Sequence, residues 1–209
     1  MLLVRSQQAC LERLRSAIRW GRGLVLLIGS PEQGKSTLLK ELIVNSVYLP
    51  LQLDGQVITD RRDAIFRLVA SVGIQPEESD LGMLNRLQAK QFVGFEKGVP
   101  EIIIDQANSL KPEAIRLFDE LANGAYGRQW SILAVGEPSL VQMVLTKSRF
   151  GLLPSVVVLP PWDEYDLYQA AFVINAKFKI DNRALSLLER FSNNPGHLLR
   201  VIGEITDAR

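Results

Sequence analysis

The chain has almost none of the residues that build covalent or metal cross-links: one cysteine, Cys10, and one histidine, His197, in 209 residues. A lone cysteine excludes an internal disulfide, and a lone histidine leaves a structural zinc cluster without ligands. A reducing, cytoplasmic compartment is the expectation. Net charge is missing too, with 24 basic against 23 acidic residues, so no global field draws the chain to nucleic acid or anionic lipid. Long hydrophobic runs are absent. The opening "MLLVRSQQAC" is too short for a signal-peptide core, and "LVLLIG" and "LLPSVVVLPPW" fall far below the roughly 20 residues of a membrane helix. Neither a repeat nor a low-complexity segment breaks the sequence.

What is present reads as a packed domain. Apolar residues make up 47% and charged residues 22%, an ordinary globular balance. The length suits one sizeable core, or a core with a small appendage. Residues 5–20 place Leu11, Leu14 and Ile18 at helical spacing, which predicts an amphipathic helix. "GLVLLIG" at 23–29 reads as a buried parallel strand, and a helix follows from Lys35. The alternation continues: strand 47–53, helix 61–72, helix 81–97, strand 101–105, a helix after Pro112 ended by Asn123 and Gly124, strand 130–136, a helix from Ser139, and strand 155–159. Such alternation implies a parallel sheet with helices on both faces. After "LPPW" only helical patterns remain, at 163–176, 182–192 and 196–207, so the Pro-Pro step marks a boundary.

The strongest chemical signal is "GSPEQGKST", Gly29 to Thr37, which fits G-x-x-x-x-G-K-[ST] between a strand and a helix. Gly29 and Gly34 let the backbone wrap a phosphate, so the N–H groups of residues 32–36, Glu32 and Gln33 included, point at the anion. The helix N-terminus adds partial positive charge. Lys35 is placed for the β- and γ-phosphates, Ser36 for Mg²⁺, and Thr37 for the α-phosphate. The chain holds no Asn-Lys-x-Asp stretch of the kind that selects guanine, which favours ATP. About 70 residues downstream, "IIID" ends a strand in Asp105, a second residue for the Mg²⁺ side. Gln106 follows where most ATPases of this pattern carry glutamate.

The order of "GSPEQGKSTLL", "IIIDQANSL", "EAIRLFDEL", "ILAVGEPSL", "LPPWDEYDLYQAAFVI" and "FSNNPGHLLRVI" resembles the AAA+ ATPases of the ExeA/GspA secretion group and the related MshM pilus-biogenesis ATPases. Transposition ATPases are more distant kin. The resemblance implies an α/β P-loop NTPase of AAA+ type, with a parallel five-stranded sheet in the order 5-1-4-3-2 and a small helical lid. Residues 1–160 form the nucleotide-binding core and 161–209 the lid, with Mg²⁺ and ATP bound between them. It further implies homo-oligomers in which a neighbour's arginine reaches the γ-phosphate. Arg149 is the candidate for that role and Arg128 the weaker one.

Three positions depart from the family pattern. Gln106 replaces the carboxylate that accepts a proton from the attacking water, and loss of a general base slows a reaction by about 10²- to 10⁴-fold. Glu137, in "GEPSL", stands where the family tends to place glutamine, at the end of the fourth strand beside Asp105 and Gln106. This suggests an exchange of the two side chains around one water, with Glu137 the candidate base; a helix cap or a solvent-facing residue is the alternative for Glu137. In the lid, Gly196 replaces the arginine that couples nucleotide to lid position, leaving Arg200 one turn later, with His197 adjacent.

Two readings follow. In one, the chain is a slow ATPase acting in secretion, pilus or cell-envelope assembly through nucleotide-dependent oligomers; in the other, it is an ATP-dependent interaction switch with negligible hydrolysis. A DNA-associated regulator ranks third, because Arg61, Arg62 and Arg67 are interleaved with aspartates. The partner is another copy or a membrane or envelope protein that recruits the chain to the inner membrane. ExeA-type members often continue into a membrane span; here the sequence ends at Arg209, and a stand-alone domain and a piece of a longer protein both fit.

Overall fold

The computed structural model describes residues 3–20, 23–44, 49–89, 99–147 and 153–170. Helix α1 (Arg5–Trp20) leads into β1 (Leu24–Ile28) and α2 (Lys35–Val44). Strand β2 (Leu51–Asp54) precedes α3 (Arg61–Ser71) and α4 (Asp80–Ala89), and β3 (Ile102–Asp105) precedes α5 (Pro112–Ala122). Strand β4 (Ile132–Gly136), α6 (Ser139–Lys147) and β5 (Ser155–Val158) follow. All pairings are parallel, in the order β2-β3-β4-β1-β5, which is the expected 5-1-4-3-2 read from the other edge.

The burial of β1 explains the continuous apolar run. Leu24, Leu26 and Ile28 join one core cluster with residues of α3, α4, α5 and α6, while Val25 and Leu27 join a second with α1 and α2. A strand covered on both faces needs an apolar side chain at every position, because successive residues point to opposite sides. The same alternation sets the functional face. Ile103 belongs to the cluster under α1 and α2, so Asp105, two residues further along β3, follows on the α2 side.

Strand starts differ from the sequence expectation for identifiable reasons. The strand expected at 47–53 pairs only from Leu51, whose N–H bonds Glu101 O; Pro50 has no N–H to offer a ladder, and residues 47–48 lie outside the described residues. The strand expected from Trp130 begins at Ile132, because the Trp130 N–H is bonded to Leu121 O and the Ser131 N–H to Glu101 Oε2. Helix α4 ends its described course at Ala89, and the remainder of the expected 81–97 helix lies outside the described residues.

Beyond β5, residues 164–170 are helical. This short helix opens with a reciprocal cap: the Asp166 N–H donates to Asp163 Oδ1, and the Asp163 N–H to Asp166 Oδ2. Asp166 is fully buried because its other oxygen also accepts the Ser6 N–H at the start of α1, next to the Arg5 N–H held by Gln169 Oε1. The predicted helices at 182–192 and 196–207, and so nearly all of the expected lid, lie outside the described residues. Among the described residues no helix is long and apolar enough to cross a membrane.

Candidate functional site

Between Ile28 and Lys35 the chain makes the turn that the glycines allow. Gly34 adopts φ 91° at no steric cost, whereas Glu32 is held at φ 61°, an uncommon conformation for a residue with a Cβ. Gly29 is closely packed: a Cβ there would lie 2.7 Å from Gln33 Oε1 and 3.3 Å from Leu159 Cβ, so the Gln33 side chain would have to give way. The buried Gln33 side chain crosses the loop and accepts the Ser30 N–H at 2.6 Å. Lys35 opens α2, and its ammonium donates to Gly29 O at 2.8 Å and Ser30 O at 2.7 Å. Burial pulls the Lys35 pKa below its ordinary value, while the carboxylates of Glu137 and then Asp105 push it back up. Lys35 is therefore a cation gripped by the loop and faced by two carboxylates.

At the end of β3, Asp105 is half-buried and its Oδ1 accepts the Gln106 N–H at 2.8 Å. Gln106 turns the chain in a left-handed conformation, φ 52° and ψ 39°. The turn after β2 presses on it: a Cβ on Gly55 would come within 2.6 Å of Gln106 O. Ser36, Asp105 and Gln106 line one cleft of about 330 Å³, with Leu39, Ile43, Leu53 and Ile103 among its apolar walls. Asp54 lines it as well, in register with Asp105 on the neighbouring strand. Sequence reasoning missed Asp54, although "LQLDG" repeats the pattern of "EIIID", an apolar strand ending in a carboxylate.

The end of β4 supplies the remaining part. Gly29 N–H bonds Gly136 O at 3.1 Å, which joins the phosphate-type loop to this strand end. Glu137 is exposed, and its N–H donates to Asn108 Oδ1 at 2.6 Å, while Asn108 Nδ2 donates to Ser139 Oγ at 2.7 Å. The structure thus gathers Gly29, Gln33, Gly34, Lys35, Ser36, Asp105, Gln106 and Glu137 at the C-terminal ends of β1, β3 and β4. The Glu32 side chain is exposed and Thr37 is half-buried in the first turn of α2.

Other candidates fare differently. Arg128 lies near the opposite ends of the strands, ion-paired with Glu101 and stacked 4.4 Å over the Trp130 ring. Burial lowers its pKa, and its own chain engages it. The basic stretch is likewise neutralised: Arg61 pairs with Glu120 at 2.8 Å, Arg62 with Asp80 at 3.0 Å and Arg67 with Asp63 at 3.0 Å. Arg149, Arg200, Gly196 and His197 lie outside the described residues.

This loop, followed by an aspartate-ended strand two places away in a sheet of order 5-1-4-3-2, defines the AAA+ P-loop NTPase fold. Solved structures agree. The Aeropyrum pernix Orc1 protein in complex with DNA superposes with TM-score 0.66 over 100% of this chain and 62% of its own, at 17% identity. Cdc6p from Pyrobaculum aerophilum gives TM-score 0.63 over 95% and 60%, at 17% identity. The Thermotoga maritima RuvB Holliday junction branch migration motor gives 0.61 over 97% and 61%, at 15% identity. The chain therefore spans about three fifths of the length of these neighbours. No protein-family model and no curated protein matches the sequence.

The donor set fits Mg²⁺ with a nucleotide. Hard oxygens from Ser36 and Asp105 open on one cleft, and an ion that prefers one or two protein oxygens plus phosphates needs no more. The close approach at Gly29 and the first turn of α2, whose N–H groups a helix leaves without intrahelical partners, suit an anion beside it.

Proposed function

We propose that this chain binds Mg-ATP at the loop Gly29–Thr37 and hydrolyses it slowly, using the cycle to control association with further copies of itself or with a partner protein. The observation that carries the reading is the convergence of Lys35, Ser36, Asp105 and Glu137 on one set of strand ends. Lys35 exchanges the carbonyls of Gly29 and Ser30 for phosphate oxygens. Ser36 and Asp105 hold the divalent ion, which when bound offsets charge on the phosphates. Gln106 orients the attacking water by hydrogen bonding, and Glu137 accepts its proton. Arg149 from a neighbouring copy and Arg200 are proposed contacts to the phosphates, on the family resemblance alone. The same resemblance supports a role in secretion, pilus or cell-envelope assembly.

The decisive measurement is ATP turnover beside ATP binding on the purified protein, with Lys35→Ala as control. The expected result is micromolar-range binding lost in the control and turnover above it by at least about tenfold. Binding with turnover equal to the control establishes the switch reading instead, which the absence of a carboxylate at Gln106 favours. Orc1, solved in complex with DNA, and RuvB, a Holliday junction branch migration motor, favour a third reading, association with DNA. The ion-paired Arg61, Arg62 and Arg67 weigh against that stretch as its contact surface. A gel shift with and without ATP across a salt series tests it.

A further inference from the structure

Asn108 lies three residues past Asp105, in the turn that follows β3. Its side chain uses both of its polar atoms on the turn that carries Glu137. Oδ1 accepts the Glu137 N–H at 2.6 Å, and Nδ2 donates to Ser139 Oγ at 2.7 Å, at the first residue of α6. The fit is close: a Cβ at Gly136 would lie 2.1 Å from Asn108 Oδ1, so glycine is required where the amide enters. Two hydrogen bonds and a steric notch fix one strand end to the other.

We propose that Asn108 is a positioning residue, which holds the β4–α6 turn so that the Glu137 carboxylate faces Lys35 and Asp105 instead of swinging into solvent. On the reading that the loop holds a nucleoside triphosphate, Asn108 thereby sets how the site distinguishes a triphosphate from a diphosphate. The physical link is Coulombic. A carboxylate fixed near the terminal phosphate opposes a triphosphate more than a diphosphate, and the opposition fades when the carboxylate is free to move away.

The test is a double-mutant cycle read as the ratio of ATP to ADP affinity, which does not depend on turnover. Asn108→Ala and Glu137→Gln are each expected to raise the ratio by about fivefold to tenfold, and the double variant to go no further than Glu137→Gln alone. Gly136→Ala, which displaces the Asn108 amide, is expected to match Asn108→Ala. An Asn108→Ala ratio equal to the unaltered protein overturns the proposal, as does a double variant whose effect is the sum of the two. Failure of the unaltered protein to bind ATP removes the nucleotide reading together with this one. Normal binding with an unresponsive ratio removes this one alone.

Discussion

The side-chain oxygen of Gln33 and the backbone N–H of Ser30 meet at 2.6 Å across the turn of the phosphate loop, so one variable position of the motif braces another. Removing the brace leaves a loop N–H to find another partner, at about 1 kcal/mol. The Gln33→Ala variant is expected to bind nucleotide about three- to tenfold more weakly, because ordering of the loop is then added to the cost of binding. Titration with a fluorescent ATP analogue checks it, and an unchanged affinity discards the brace.

Glu137 and Gln106 predict opposite responses to exchange. Gln106→Glu restores a carboxylate next to Asp105 and is expected to raise turnover by about tenfold or more. Glu137→Gln should lower turnover toward the level of the Lys35→Ala control. A steady-state phosphate-release assay suffices, and an unchanged rate in Glu137→Gln sinks the idea that the two side chains have traded roles.

Gly55 and Gly73 separate contact from conformation. A Cβ on Gly55 collides with Gln106 O at 2.6 Å and Asp105 O at 3.1 Å, whereas Gly73 has nothing within 4 Å but sits at φ 70°. Gly55→Ala is expected to cost about 1–3 kcal/mol through the clash and to disturb nucleotide binding. Gly73→Ala should cost about 1 kcal/mol through backbone strain and leave binding alone. Urea unfolding with a parallel binding titration reports both.

Asp63 makes stability pH-dependent. Burial raises its pKa, but the Thr59 N–H and the Arg67 side chain outweigh this and bring it below the ordinary 3.8. A depressed carboxyl contributes stability that is complete above the unfolded value and is lost as pH falls through the folded one. Asp63→Asn should therefore lower the urea midpoint near pH 7 by an amount worth at most about 1 kcal/mol. The difference should shrink below pH 3.8; a gap that persists at low pH contradicts the assignment.

Much of the fold was legible because its local signals agree. "LVLLI" can only be buried on both faces, "GSPEQGKST" states its own turn, and Pro112 and Asn123 bracket α5 as expected. The loop motif and the aspartate-ended strand downstream pointed to Ser36 and Asp105 on one side of a site, and the two line one cleft. What escaped was whatever depends on partners distant in sequence. Trp130 and Ser131 read as strand until Leu121 O and Glu101 Oε2 take their N–H groups. Asp54 gained its place only when β2 paired with β3 in register. Asn108 carries no signal of its own in the sequence, since nothing there shows that β4 ends within its reach.

The buried Asp166 carboxylate joins the first turn of α1 to the first turn of the 164–170 helix. Helix α1 in turn packs on α2, β1 and β5, two elements of which frame the phosphate loop. Through Asp166 the 164–170 helix is tied to the N-terminal end of α1, and through α1 it is coupled by direct packing to the strand and helix on either side of the Gly29–Thr37 loop. One buried carboxylate thus acts as a staple between the two ends of the described chain.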